Sequence, residues 1–376
     1  MRSLVRGHAF LRLVALGAVG AAAAVAVAVQ PAASGAVPAS RGACGPQWRI
    51  FARAVPPLND VVALSSQDVW AVGGAEGGIS TPVVYRPVVV HWNGHALRTL
   101  RFPWKNAEFS GVAAASSGNV WAVGSINDKP LVVHWNGLRW QRVEPPVVRV
   151  KGGLSDVAVI GAHDVWVVGG QRSGPLLSHW DGRRWQPVDL RVVAPRLDYL
   201  TSIASIGPDN IWAAGSTRAQ NNGYGYGPVF LRWDGKRWKK MPAFSPGYWM
   251  HGFGTVEVDI ASSGDVWGVH ESYEESASPV FARWLPSAKA RPRTTEWGVS
   301  EVSVYGLAAV GRDDVWVVGA VNYPKERLFI GHWAGSRWHE EHPPLARLRA
   351  TLNAVSAISV SDIWAVGDHL IVRYSC

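Results

Sequence analysis

The sequence predicts an all-β fold, a seven-bladed β-propeller with four antiparallel strands per blade, its ring closed by the N-terminal strand. Three observations predict it. The phrase Asp/Asn–aliphatic–Trp occurs seven times, at Trp70, Trp121, Trp166, Trp212, Trp267, Trp316 and Trp364, with spacings of 51, 45, 46, 55, 49 and 48 residues. A period of that length marks a repeat architecture. Each repeat reads as four short strands separated by turn residues. The last repeat lacks its fourth strand, and a matching segment stands near the N-terminus.

The second repeat shows the elements in order. Gly111 to Ala115 is strand A, and Ser116 to Asn119 is a turn. Val120 to Gly124 is strand B, Ile126 to Pro130 a loop, and Leu131 to Trp135 strand C. Asn136-Gly137 is a hairpin signal, and Leu138 to Val143 is strand D. Such blades arranged around an axis form a propeller. The strand-A position seven residues before each Asp/Asn is apolar: Val61, Val112, Val157, Ile203, Val258, Leu307 and Val355. The next position is mostly small, as crowding at an axis requires, with Asp259 the exception.

Residues 1–36 read as a secretory signal peptide. Arg2, Arg6 and Arg12 precede an unbroken apolar run from Leu13 to Val29, and small residues follow. The alternative is an uncleaved N-terminal anchor, because the run is near the lower limit for a membrane span. Residues 37–43 form a short linker, and 44–376 a single propeller domain. Removing the first 36 residues lowers the formal charge from +9 to +6. A mildly basic balance permits attraction to anionic polymers without implying nucleic acid, and no nucleic-acid partner is expected. The expected location is outside the cell or on its envelope.

An apolar strand ending in Gly73-Gly74, followed by a strand-C aromatic and a strand-D Trp, resembles a kelch-type repeat of galactose-oxidase-like propellers. The wording Asp-Val-Trp-Ala-Val-Gly with His-Trp-Asp-Gly-x-x-Trp is similar to repeat proteins exported by bacteria. The resemblance covers about residues 44–376 and departs from kelch at Ser125, Ser216, Ala320 and Asp368, where the second Gly is replaced. It implies fold more firmly than function.

Of 21 tryptophans, seven fall in strand B. Six fall in strand C (Trp92, Trp135, Trp180, Trp233, Trp284, Trp333) and six begin strand D (Trp48, Trp140, Trp185, Trp238, Trp297, Trp338). Their large apolar area suits packing between blades. Only Trp104 and Trp249 lie outside this pattern. At the seam, Tyr374 replaces the strand-C Trp, and Gln47 to Phe51 matches the missing strand D. Cys44 and Cys376 stand where other blades have the C–D hairpin, so a Cys44–Cys376 disulfide is expected. Blade 5 should be the least regular. His270 replaces its strand-ending Gly, and the Trp284–Trp297 interval enlarges its C–D loop.

Repeat positions also explain most polar residues. The column Asp68, Asn119, Asp164, Asn210, Asp265, Asp314 and Asp362 ends the A–B turns, where such side chains bond nearby backbone amides. Strand-C His91, His134, His179 and His332 share a column with Arg232, Arg283 and Arg373, which suits structure better than metal binding. The basic C–D turns (Arg139, Arg183, Arg184, Lys236, Arg237, Lys239, Lys240, Arg337) either block edge pairing or form a belt for anionic wall polymer or a membrane surface. Asp60, Asp156, Glu257 and Asp259 lie in strand A and are the weak candidates for a cation at the channel mouth, with solvated carboxylates the plainer reading. No metal site and no cofactor are expected.

No Gly-x-Ser-x-Gly elbow, zinc spacing, sialidase-type Asp box or P-loop occurs. The expected role is a binding or interaction module for carbohydrate or an extracellular protein or peptide, expected to be monomeric. The alternatives are an enzyme acting on an extracellular polysaccharide or glycoside, and a structural envelope protein. An enzyme should bring two carboxylates together in one pocket, while a binder should present aromatics with few acids. The B–C and D–A loops share one face and read as long and irregular, so ligand contacts are expected there. The candidates are Tyr224, Tyr226, Tyr248, Trp249, His251, Glu271, Tyr273 and Trp104.

Overall fold

The computed structural model describes residues 45–76, 85–145, 151–217, 227–243, 256–270, 278–286, 291–298, 302–321, 327–341 and 348–376. These form 28 strands in seven four-stranded antiparallel sheets and contain no helix. Blade 1 is β2 (Leu58–Ser65), β3 (Asp68–Glu76), β4 (Tyr85–Trp92) and β5 (Leu97–Arg101). Blade 2 is β6 (Ala107–Ser116), β7 (Asn119–Ile126), β8 (Lys129–Trp135) and β9 (Trp140–Val143). Blade 3 is β10 (Gly152–Gly161), β11 (Asp164–Gln171), β12 (Gly174–Trp180) and β13 (Trp185–Pro187). Blade 4 is β14 (Leu197–Ser205), β15 (Ile211–Thr217), β16 (Pro228–Trp233) and β17 (Trp238–Lys240). Blade 5 is β18 (Val256–Ile260), β19 (Val266–His270), β20 (Val280–Trp284) and β21 (Arg293–Glu296). Blade 6 is β22 (Val302–Gly311), β23 (Asp314–Val321), β24 (Arg327–Trp333) and β25 (Trp338–Glu340). Blade 7 joins β26 (Leu352–Ser359), β27 (Asp362–Gly367) and β28 (Leu370–Ser375) to β1 (Gln47–Arg53).

The N-terminal strand therefore closes the ring. Gln47 pairs with Ser375, and Trp48 with Tyr374. Around the axis β2, β6, β10, β14, β18, β22 and β26 neighbour one another and return to β2.

The tryptophans hold the blades together. Trp166 of blade 3 lies 5.4 Å from Trp233 and 5.5 Å from Trp238 of blade 4. Trp70 meets Trp135 and Trp140 at 5.8 Å, and at the closure Trp316 meets Trp48 at 5.6 Å. All seven strand-B tryptophans are buried. Offset and edge-on ring pairs add to the burial of apolar area.

The strand-ending glycine has a steric cause. In six blades strand A carries a β-bulge, and the glycine sits opposite it: Leu58 pairs with Gly73, Leu154 with Gly169, Leu352 with Gly367. A Cβ at Gly73, Gly124, Gly169, Gly215, Gly319 or Gly367 would run into a carbonyl oxygen in strand A or immediately before it. Blade 5 has His270 at this position, and its A–B pairing from Val256 to Ile260 has no bulge. The irregularity expected there follows from one substitution. Blade 5 also slides its outer strand: Arg283 pairs with Arg293, and Trp297 falls beyond β21 instead of beginning strand D. Trp297 packs instead against Phe329 and Trp338 of blade 6.

One loop expectation needs correcting. Ile126 to Pro130 is not a loop: Ile126 pairs with Lys129 around a two-residue turn, with Asn127 and Asp128 at φ of 50° and 59°. Positive φ at both positions matches strand twist, and Asn and Asp tolerate it. Blade 3 turns as tightly, Gln171 pairing with Gly174, and blade 7 likewise, Gly367 with Leu370. The B–C connections are thus short in blades 2, 3 and 7.

Candidate binding site

The inner strands enclose an axial cavity of about 480 Å³, lined by all seven blades. No Lys, Arg or His contributes to its lining. Asp60, Asp156, Glu257 and Asp259 all reach it. Strand A is the inner edge of each sheet, so its outward N–H and C=O groups have no fifth strand to pair with. Side chains of the preceding blade satisfy them. Asp60 accepts from its own Val61 N–H at 2.8 Å and from Val112 N–H of blade 2 at 2.7 Å. Asp156 bridges Val157 and Ile203 of blade 4 at 2.7 and 2.8 Å. Asp259 bridges Ile260 and Ala309 of blade 6, both at 2.8 Å. Ser356 accepts from Ala63 N–H across the closure, and Asn59 and Asn353 donate to Phe109 and Leu58 carbonyls of the next blade.

Asp259 breaks the small-residue column because it does this work. Glu257, in the position that Asp60 and Asp156 hold in their blades, meets the Ser202 hydroxyl instead. All four carboxyls are partly exposed, within the axial cavity. Burial, with the charge of Asp156 next, holds Asp60 well above the ordinary carboxylate range. Burial raises Asp156 and Asp259 to about 6, against the lowering effect of their amide bonds. Glu257 is raised well above its ordinary value by burial, then by Asp156. Among the described residues no group of three or more His, Cys, Asp or Glu is arranged to hold a metal ion.

The Asp/Asn column also acts differently from expectation. Its side chains bond strand-B indoles and strand-C side chains rather than backbone amides. Asp164 Oδ1 accepts from Trp166 Nε1 at 3.0 Å and meets His179 Nε2 at 2.8 Å, while His179 stacks on Trp166. Asn119 with His134 and Asp314 with His332 repeat this. Arg373 replaces the His opposite Asp362, and Arg283 does so opposite Asp265. Arg283 and His332 share a column because both deliver N–H donors to the same carboxylate position.

Of the eight residues expected on the B–C/D–A face, seven (Tyr224, Tyr226, Tyr248, Trp249, His251, Glu271 and Tyr273) lie outside the described residues. Trp104 is half-buried, stacked on Phe102 at 4.9 Å, with the Arg142 guanidinium 5.8 Å from its ring. Cys44 also lies outside the described residues, while Cys376 follows β28.

The same face carries a cleft that sequence reasoning missed. It spans blades 2, 3 and 4, has a volume of about 400 Å³, and lies where two tight B–C turns keep the rim low. Gly152, Gly170, Gln171 and Arg172 of blade 3 line it. Asp128 and Lys151 wall one side, Asp198 and Tyr199 the other. Tyr199 lies so close over Gly170 that a Cβ there would come within 2.9 Å of its own Cβ. Backbone bonds fix the walls: Gly152 N–H donates to Asp128 O at 2.8 Å, and Arg172 N–H to Lys151 O at 3.2 Å. The available signal was the position five residues after the strand-B Trp: Ala75, Ile126, Thr217, Ser272, Val321 and His369 elsewhere, an amide only in blade 3.

No family model and no curated protein matches this chain. Solved structures do. YCF48 bound to D1 peptide is 14% identical, with a TM-score of 0.57 over 88% of this chain and 97% of that one. YCF48 from Cyanidioschyzon merolae is 13% identical, with a TM-score of 0.58 over 88% and 99%. A streptogramin B lyase structure is 13% identical, with a TM-score of 0.58 over 87% and 97%. These likenesses show the propeller fold. At such identity they show nothing finer.

Proposed function

We propose that this chain is an exported binding module, a rigid ring that presents a ligand site on its B–C/D–A face. The observation that carries this reading is the cleft between blades 2 and 4, whose walls are already fixed by backbone hydrogen bonds between loops. Preorganised walls reduce the ordering cost of binding. The proposed ligands are carbohydrate or an extracellular protein or peptide. YCF48, a propeller of similar fold, has been solved bound to a D1 peptide, which supports the peptide class.

The enzyme reading is second. Four carboxyls do meet in the axial cavity, and the streptogramin B lyase shares the fold. Three of the four, however, spend their oxygens on backbone amides of two blades. That leaves Glu257 alone, not the pair that an acid–base mechanism on a glycoside needs.

Export rests on the proposed signal segment 1–36, and the place of action is then outside the cell or on its envelope. A kelch-type ancestry for the repeat and a Cys44–Cys376 disulfide belong to the same proposal. The basic C–D turns offer a second, less specific contact for anionic wall polymer. The purified full chain, screened against a glycan array and a displayed peptide library, tests the reading. Saturable binding to a member of either is expected. Turnover of a glycoside with no binding to either library would move the assignment to the enzyme.

A further inference from the structure

We infer that the cleft between blades 2 and 4 is a site for a neutral, hydroxyl-rich saccharide, held around the Gln171 side chain. The inference rests on the binding-module reading and names its ligand class. Gln171 Oε1 is buried, and among the described residues no donor reaches it. A buried acceptor left unsatisfied destabilises a protein by roughly 1–3 kcal/mol. The scaffold does not require an amide at this position. The equivalent residues are Ala75, Ile126 and Val321, which are apolar, and Thr217, Ser272 and His369, which are polar. Thr217 accepts from Gly227 N–H and His369 meets the Val55 carbonyl, and the A–B bulge and the tryptophan packing form without a Gln there. The one amide in this column, with its oxygen unmatched among the described residues, is explained by a donor brought from outside.

The walls define that donor's chemistry. Lys151 and Arg172 can only donate, and Asp128 and Asp198 accept. Lys151 lies 3.5 Å from Asp128, so part of the charge is already paired. Two cations and two anions line the cleft, which gives an ionic ligand of either sign no net attraction. A sugar presents hydroxyls that donate and accept within a few ångströms of each other, matching donors and acceptors set side by side. Tyr199, held against Gly170, supplies the one aromatic surface, as the C–H face of a sugar ring requires. A cleft of about 400 Å³ has room for one or two residues of a longer chain.

The test uses the purified full chain on an array of neutral and charged glycans, then isothermal titration with the best neutral oligosaccharide. Binding should change little as salt rises, since no net charge is matched. Gln171→Leu should lower the affinity at least about tenfold, equivalent to about 1.4 kcal/mol. It should leave the thermal midpoint unchanged or higher, because leucine needs no donor. Arg172→Ala, on an exposed turn, should weaken binding without affecting folding and gives a readout if the first variant folds poorly. Unchanged affinity in both variants overturns the inference. Preference for a charged glycan, or a peptide captured with no neutral glycan bound, also overturns it while leaving the binding module standing. Failure of both libraries to give any ligand removes both readings.

Discussion

Replacing Asp259 with Ser should change protein stability in opposite directions at low and neutral pH. Ser356 of blade 7 stands at the same strand-A position, each being paired with its strand-B Trp. There a neutral hydroxyl accepts the next blade's amide at 3.0 Å. Asp259→Ser copies that solution, keeps the bond to Ala309 and gives up the one to Ile260, a loss of about 1 kcal/mol. Against this stands the burial of the charge. Asp259 rises from the ordinary 3.8 to about 6 when the protein folds. A raised carboxyl pKa means that the unfolded chain releases its proton first as pH rises. The stability present below pH 3.8 is therefore lost progressively up to about pH 6 and stays lost above it. At 1.36 kcal/mol per pH unit this loss is about 3 kcal/mol. The variant should be less stable than the parent by about 0.5 kcal/mol near pH 4 and more stable by about 2 kcal/mol at pH 7.5. Urea unfolding followed by tryptophan fluorescence at pH 4, 5.5 and 7.5 measures this directly. A variant equally destabilised at all three values would refute the reasoning, since the amides would then outweigh burial.

Three further outcomes are expected. Asp265 is fully buried between Arg283 at 2.9 Å and Arg312 of blade 6 at 3.4 Å, so Asp265→Asn leaves the largely buried Arg283 only its 3.5 Å contact with the exposed Asp313 and should lower unfolding free energy by about 3 kcal/mol. Asp164→Ala removes the shared acceptor of Trp166 and His179; a loss of about 2 kcal/mol is expected by denaturant titration, and none would mean that ring packing alone holds blade 3. Non-reducing peptide mapping should recover Cys44 joined to Cys376, and Cys376→Ser should lower the unfolding free energy by up to about 5 kcal/mol in the chain-entropy limit.

The fold was legible because the repeat reports it seven times. Any single strand is ambiguous, but Trp70, Trp121 and their equivalents occupy one column, and the Trp48–Tyr374 pairing was written in the truncation of the last repeat. Two features were not legible. Ile126 to Pro130 contains Asn127-Asp128, a tight-turn signal that reads equally well as a loop until the partner strand is placed. The axial carboxylates read as channel-mouth charges because sequence gives no account of the next blade's amides. Asp60 meets Val112 across 52 positions, an interval that only the ring geometry makes short. The cleft was missed for a related reason. Its residues come from three blades, and Gln171, the last residue of β11 before a two-residue turn, carries no motif of its own.

The repeat also provides a way to separate scaffold from site within one chain. At the inner edge every blade faces the same problem, a row of amides with no strand to pair with, and blades solve it differently: Asp in three, Ser in blade 7. Those residues depart from their neighbours in identity while serving one structural need, so their unusual pKa values report burial, not chemistry. Gln171 is the reverse case. It is the one amide in its column, and the inter-blade bonds that account for Asp60, Asp156 and Asp259 do not account for it. A perturbed carboxylate that holds two backbone amides is already explained by folding. A buried amide oxygen with no donor is not, and the search for a ligand therefore starts at blade 3, not at the acid-lined axis.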